Sequence, residues 1–533
     1  MTKSLYLFFS RFKLIHLFII LVVIKFLTIY SIQTKRELPI NPYDAFFYIA
    51  QSHLNYEDPS RSGKTIRSIR DFTQSTLKEE GFKELDTEMI ELSGYLDQHY
   101  ILYSKIFGLV FKYSSIDKIK LWWIFNYISQ LIIFTSFVCL MKTYSINKNF
   151  YNDKIILIAS FFLVLSIPHH ISSTPMTWGA SFYIISNYFI FFIKNKVINY
   201  LGILLNCISL FFHPGIILIA AIFLMMRGII FITSKSQKNL IDFLKLLIPI
   251  LPIIFLGPLI ELLEVQKNYN SNNIFFMIEK NIRLNLIDNF QFNFKRTIVI
   301  FSKSFFPLVP FFFKYLFVII YIYSLFVIFK KNRELFFLNI GALMMIFIGC
   351  FYKISISHPG HITYYLLQIT TPVALICIFN MYEIFSSKID KKFNLKKGTS
   401  ITIIALLIFI PNSFEYYKMI KIRTNIQNVE NITQKIKNFN TENFKDSKNA
   451  IIIGDKLTLG IFLSMYTNTN IYLDDKIRPK GRFWTHKQNH SVIGYIGKIT
   501  NTEKKIEKSV SVSKIKYSFK HIKLYKDFYI LHN

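Results

Sequence analysis

Cysteine is scarce in this chain, and where it occurs it is wrongly placed for cross-linking. Cys139, Cys207, Cys350 and Cys377 all lie inside apolar runs or at their ends, and no polar loop carries one. That excludes a disulfide framework and a Cys-ligated metal centre and leaves the four as small buried hydrophobes. Acidic residues are also few: 32 Asp and Glu stand against 63 Lys and Arg, a formal charge of +31. In a soluble protein such an excess points to nucleic acid. No nucleic-acid module has a signature here, and the basic residues gather in short loops, where membrane topology explains them. A phosphate loop is missing too, because Arg61-Ser62-Gly63-Lys64-Thr65 has no upstream glycine at the required spacing. Charges within the apolar runs are sparse, and no inverted repeat is visible, which argues against a transporter.

What the chain has in abundance is hydrocarbon. Phenylalanine alone occurs 56 times, in runs such as Ile156–Pro168, Leu201–Phe212 and Leu335–Cys350. None alternates with period two, so these read as helices, which satisfy their own backbone in lipid. Basic residues Lys3, Arg11 and Lys13 precede the first run, Leu14–Tyr30, and place the N-terminus in the cytoplasm. That run is too long for a signal-peptide core and lacks a small-x-small cleavage site, so it stays as an anchor. Lys25 inside it snorkels to the interface.

Further spans are expected near Leu121–Met141, up to Pro168, Trp178–Ile193, Leu201–Phe212, Ile216–Ile232 and Phe243–Ile260. The segment Thr297–Lys330 is broken by Lys303, Pro307, Pro310 and Lys314. It reads as an outer, partly re-entrant half followed by one crossing. Leu335–Cys350, Tyr364–Met381 and Ile401–Ile410 complete the set, with a cytoplasmic Lys388–Lys397 cluster. The expectation is a polytopic α-helical membrane protein of about eleven transmembrane helices. Residues 1–411 form the membrane domain, with a large outer loop over 33–120. Residues 412–533 form a small α/β C-terminal extracytoplasmic domain of ordinary size. Helices are expected there at Lys421–Lys437 and Leu457–Met465, and strands at Ala450–Gly454, Ser511–Ser518 and Phe528–Leu531.

The residues with chemistry cluster at the outer ends of spans. Asn41-Pro42-Tyr43-Asp44-Ala45-Phe46-Phe47-Tyr48 sets the carboxylate of Asp44 in an aromatic wrapper just past the first helix. An Asp opening a short helix is favoured by the amide dipole alone. At a membrane surface it also suits a general base that deprotonates an acceptor hydroxyl. Asp97-Gln98-His99-Tyr100 supplies a second acid, and on an extended backbone Asp97 and His99 share a face. That pair suits a divalent metal, Mg or Mn, or a base coupled to a proton carrier; a solvated loop surface is the plainer reading. Behind it, Tyr100–Tyr113 has apolar residues at 102, 106, 109 and 110, the pattern of a helix lying in the interface.

Late in the chain, His358-Pro359-Gly360-His361 precedes Tyr365 and Gln368. Offsets of four and three let His361, Tyr365 and Gln368 share one helical face, able to contact a phosphate leaving group or simply to anchor the interface. Lys303 and Lys314 are further candidates to neutralise phosphate, or to snorkel. Asp474-Asp475, Arg482, Trp484 and His486 suit a glycan surface but have no specific spacing.

Asp44 in the first outer loop, the interfacial helix, the many-helix body and the C-terminal outer domain together resemble the GT-C superfamily of membrane glycosyltransferases. The resemblance is architectural and extends over nearly the whole chain. It implies transfer of a sugar from a polyprenyl-phosphate carrier to a lipid, glycan or protein acceptor, in a cavity between outer loops and membrane. The early-loop acid of that family maps onto Asp44. Where the family pairs two acids in this loop, Asp44 here stands alone with Asp97 far along the loop. Where it uses arginines near a late helix, His358 and His361 stand here. The implied enzyme is an inverting transferase in a bacterial plasma membrane, its C-terminal domain outside the cytoplasm, with membrane lipids and no nucleic acid as partners. The alternatives are a polysaccharide polymerase and a lipid-linked glycan transporter.

Overall fold

A computed structural model describes residues 101–116, 118–145, 174–213, 215–251, 311–350, 359–392, 449–454, 470–473, 491–499, 506–512, 515–524 and 528–533, with eight positions between His16 and Tyr30. The chain divides into two compact units. One joins Met1–Ile32 to Phe125–Lys421, and the other joins Gln33–Ile124 to Ile422–Asn533.

The first unit is a helical bundle. The described positions from His16 to Tyr30 are all helical, as expected of the first span. They are followed by α2 (Lys118–Tyr144), which belongs to this unit from Phe125 on, and by α3 (Pro175–Phe191), α4 (Lys196–Leu210) and α5 (Ile216–Ser234). Then come α6 (237–251), α7 (Phe311–Phe329), α8 (Arg333–Cys350) and α9 (Pro359–Lys392). Three windows among the described residues are long and apolar enough to cross a membrane: Lys120–Tyr144, Ile216–Ser234 and Gln368–Phe385. Lys196–Leu210 and Val318–Phe329 are shorter apolar helices. Outward faces agree with a hydrocarbon surround. Val197, Tyr200, Leu201, Leu204 and Ile208 make one uncovered stripe along α4, and Ile319, Ile322, Tyr323 and Phe326 make another on α7. Exposed apolar stripes of this length belong in lipid, so the chain is an integral membrane protein.

Small residues let the backbones approach, as is usual where lipid removes any hydrophobic drive between helices. A Cβ on Gly202 would lie 3.1 Å from the Ser186 carbonyl, which locks α4 onto α3. A Cβ on Gly341 would lie 3.0 Å from the Ile222 carbonyl, which does the same for α8 and α5. The most enclosed helix is α9, whose Leu366, Ile369 and Val373 to Phe379 are all buried. Pro372 sits inside it and has no N–H to offer the Gln368 carbonyl one turn back.

Helix ends differ from the apolar runs wherever capping chemistry outweighs hydropathy. The expected Trp178 start moves back to Pro175, because Thr174 caps the helix with its hydroxyl on the Thr177 N–H and Pro175 opens it. The expected Leu201 start moves back to Lys196, where the Asn195 side chain accepts from the Val197 and Ile198 N–H groups. α9 runs past the expected Met381 end to Lys392, carrying its lysines as continuing helix. The spans expected near Ile156–Pro168 and Ile401–Ile410 lie outside the described residues.

The second unit contains α1 (Ile101–Tyr113) and two sheets. The helix occurs where expected, and its buried seam is Tyr103, Phe107 and Phe111, joined by ring contacts at 4.0 and 6.4 Å. Ile106 and Leu109 stay uncovered. The larger sheet has the order β2-β1-β3-β7-β6, from β1 (Asn449–Ile453), β2 (Asn470–Leu473), β3 (Ser491–Lys498), β6 (His521–Leu524) and β7 (Phe528–His532). β1 pairs in parallel with β2 and β3, and β7 runs antiparallel between β3 and β6. Parallel neighbours require crossovers of a dozen or more residues, which 454–469 and 474–490 supply.

Both sheet faces are buried at the centre. Ile452, Tyr495, Tyr529 and Leu531 pack with Phe519 on one face, and Ile451, Ile496 and Ile530 are buried on the other, so the central strands of this mixed sheet are apolar on both sides. Gly497 leaves room for the Tyr529 ring. The expected single strand Ser511–Ser518 is instead a two-stranded ribbon, β4 (Ser509–Val512) against β5 (Ile515–Ser518). Its run of β-formers hides a chain reversal that no Gly or Pro marks. The helices expected at Lys421–Lys437 and Leu457–Met465 lie outside the described residues.

Candidate functional site

The contacts of the bundle sort its two ends. The last carbonyl of α2, on Tyr144, accepts from Asn332 Nδ2 at 2.8 Å and from Asn380 Nδ2 at 2.7 Å. The Tyr144 hydroxyl meets Met226 Sδ at 3.7 Å. Beside it, Arg227 clasps Glu334 with two hydrogen bonds, of 2.9 and 3.3 Å, and lies 4.2 Å over the Phe191 ring. The ends of α2, α3 and α5, the start of α8 and the latter part of α9 therefore meet here. Lys142, Lys194, Lys196, Lys235, Lys238, Lys330, Lys331 and Arg333 all occupy helix ends or turns on this side.

The opposite end has a different chemistry. Phe125, Trp178 and Phe212 join the starts of α2 and α3 to the end of α4, with centroids 6.5 and 6.4 Å apart. Around them lie buried neutral polar groups: Asn126, Gln130, Thr174, Thr177, Ser181 and His213. Gln130 Nε2 donates to Asn126 Oδ1 at 3.3 Å, and the Thr174 and Thr177 hydroxyls are 2.7 Å apart. His213 Nδ1 accepts the Gly215 N–H at 2.8 Å, so a neutral ring carries its proton on Nε2. Hydroxyls, amides and an imidazole beside indole and phenyl faces suit a hydroxyl-rich ligand. Among the described residues, no Asp or Glu stands at this end.

Of the residues picked out by sequence, Gln368 is placed in full. It is buried on α9, twelve residues before Asn380. At about 1.5 Å per residue that is about 18 Å along the axis, which takes Gln368 away from the basic end and toward the neutral polar one. His361 and Tyr365 are on the same helix, one to two turns nearer its start, so the backbone keeps the three in the register expected of a shared face. Asp44, Asp97, His99, Lys303 and His358 lie outside the described residues. Among the described residues no group of three or more His, Cys, Asp or Glu could hold a metal ion. The sequence reading missed the neutral set on α2 and α3. Asn126-x-x-x-Gln130 and Thr174-x-x-Thr177 inside otherwise apolar helices were its available signal. Neither any family model nor any curated protein matches the chain.

Proposed function

We propose that the chain is a GT-C-like membrane glycosyltransferase that moves a sugar from a polyprenyl-phosphate carrier to a lipid, glycan or protein acceptor. The observation that supports this best is the sorting of the bundle ends. Basic residues gather at one end, which the positive-inside rule assigns to the cytoplasm. Buried neutral hydrogen-bonding groups and tryptophan gather at the other, where a carrier lipid in the outer leaflet presents its sugar. His361, Tyr365 and Gln368 all belong to the first third of α9.

In the proposed reaction Asp44 takes the acceptor hydroxyl's proton as that oxygen bonds to the anomeric carbon. The bond from that carbon to the carrier phosphate breaks, and the configuration inverts. Lys303, His358 and His361 neutralise the departing phosphate. A divalent ion, Mg2+ or Mn2+, enters the proposal through Asp97 and His99. The finer topology, about eleven helices with residues 412–533 outside a bacterial plasma membrane, belongs to the same reading.

The test is Asp44→Asn in the purified protein, assayed for release of carrier phosphate and for glycosylated acceptor. The amide keeps size and removes the base, so transfer is expected to fall roughly 10²–10⁴-fold at unchanged abundance and insertion. Near-normal transfer by this variant, with chemistry limiting the rate, would remove Asp44 as the base.

A further inference from the structure

At the edge of the larger sheet two histidines face each other across one rung of the ladder. β6 is the outermost strand, beside β7, and the antiparallel register sets His521 directly opposite His532. Side chains so placed share a sheet face and have Cβ atoms about 4.5–5.5 Å apart. The two rings are in contact, with centroids 5.2 Å apart and planes inclined by 29°. His521 is exposed and His532 half-buried. His532 Nδ1 lies 3.2 Å from the Asn533 main-chain oxygen. That oxygen can only accept, so the bond puts the ring proton on Nδ1 and leaves the lone pair of a neutral ring on Nε2. A main-chain oxygen holding the far nitrogen of an imidazole is the arrangement that orients histidine ligands in metal centres.

We infer that His521 and His532 form a two-histidine site for a divalent first-row transition ion of the Zn2+, Ni2+ or Cu2+ class. Two imidazoles bound to one tetrahedral ion at about 2.0–2.1 Å per nitrogen bring their ring centres to about 5 Å. The structure holds them at 5.2 Å. The ring torsion of histidine is broad, so a turn of the exposed His521 ring aims its nitrogen at the ion without moving the backbone. Ligand type sets the class of ion. Imidazole suits these metals, whereas Mg2+ and Ca2+ take oxygen ligands, and β6 and β7 carry no Asp or Glu. Charge alone does not draw a cation here, because Lys523 follows His521 on the same face. Binding rests on the metal–nitrogen bonds and selects the ions that form them. Two protein ligands leave the ion's remaining positions to water, so the site exchanges its metal rather than enclosing it as a structural centre does. An ion bound there ties the edge strand to its neighbour. The site draws only on β6 and β7 and stands independently of the proposed sugar chemistry.

Modification by diethyl pyrocarbonate tests this on the full chain in detergent, with each histidine read separately by mass spectrometry. The reagent acylates a ring nitrogen only while its lone pair is free, so a coordinated imidazole is protected. With micromolar Zn2+, His521 and His532 are both expected to react several-fold more slowly than in the metal-free protein, and Mg2+ is expected to protect neither. His521→Gln is expected to restore the metal-free rate at His532, and His532→Gln to do the same at His521, so either variant serves if the other fails to fold. Equal rates with and without Zn2+ in the unaltered protein would overturn the inference by showing ring stacking alone. Protection of the remaining histidine that survives in a folded variant would overturn it equally, by showing binding to a single imidazole rather than a shared ion. Equal protection by Mg2+ would remove the assignment to a transition ion.

Discussion

Replacing Glu334 by glutamine removes the counter-charge of a guanidinium that has almost no access to water. The Arg227 side chain is 5% exposed, whereas that of Glu334 is 44% exposed. Breaking a fully buried ion pair costs about 3–5 kcal/mol, and a solvent-exposed pair contributes about 0–1. This pair is buried on one side only, so the loss lies between those limits. The Phe191 face, 4.2 Å from the guanidinium carbon, retains about 0.5–2 kcal/mol of attraction for the orphaned cation. The glutamine carbonyl also keeps one of the two hydrogen bonds. The expected cost of Glu334→Gln is therefore about 1–2 kcal/mol.

Arg227→Met acts differently. It leaves Glu334 half in water and removes a guanidinium whose Nε makes no hydrogen bond, so its expected cost is about 1 kcal/mol or less. The two changes together should cost less than their sum, by a coupling of about 1 kcal/mol, since residues in direct contact do not add. The measurement is a double-mutant cycle on equilibrium unfolding in mixed micelles. A Glu334→Gln protein as stable as the parent, or a coupling indistinguishable from zero, would refute the account of the pair as a clamp between α5 and α8.

Single cysteines at Lys148 and Lys504, introduced after removal of the four native ones, should label from opposite sides of intact cells. Labelling of both from one side would overturn the odd number of crossings that puts the two positions on opposite sides. Gly341→Leu should destabilise the bundle by about 1–3 kcal/mol through overpacking, because its first side-chain atom already meets the Ile222 carbonyl at 3.0 Å; an unchanged unfolding midpoint would show that α5 and α8 yield at that crossing. If Asp97 and His99 hold a metal, chelation should lower sugar transfer, and Asp97→Ala should weaken the dependence on added Mg2+ or Mn2+. Equal turnover with and without chelator removes the metal from the scheme.

The sequence made the helical bundle readable because lipid-facing runs have to be apolar along most of their length. It was silent on where each helix begins, because that is decided by single polar atoms. Thr174 and Asn195 each satisfy N–H groups that a hydropathy window does not weigh. The sheet was harder. β3 carries Gly494 and Gly497 among its apolar residues, and the second of these exists to admit a tyrosine ring from β7. Such a residue lowers strand propensity locally while serving a partner more than thirty positions away. The β4–β5 ribbon read as one strand for the converse reason: its residues favour strands on both sides of the reversal.

The site divides along the same line. Charged groups announce themselves, and Arg227 stands out inside the apolar run Ile216–Ile232. The structure adds that it faces inward onto Glu334 and Phe191. Neutral polar residues in apolar helices announce little. Asn126, Gln130, Thr177 and His213 acquire meaning only when α2, α3 and the α4–α5 turn converge through Trp178. Their neutrality has a mechanistic consequence. The amides and hydroxyls among them can orient a sugar but cannot take a proton from an acceptor at neutral pH, so in the proposed enzyme they position substrate and the acid–base step is assigned to Asp44. Asp44 and Asp97 precede, in sequence, the helices α2 and α3 that would hold the sugar in the proposed enzyme. In the proposed enzyme, binding and proton transfer are thus assigned to different parts of the chain, and loss of the base should spare substrate binding while transfer fails.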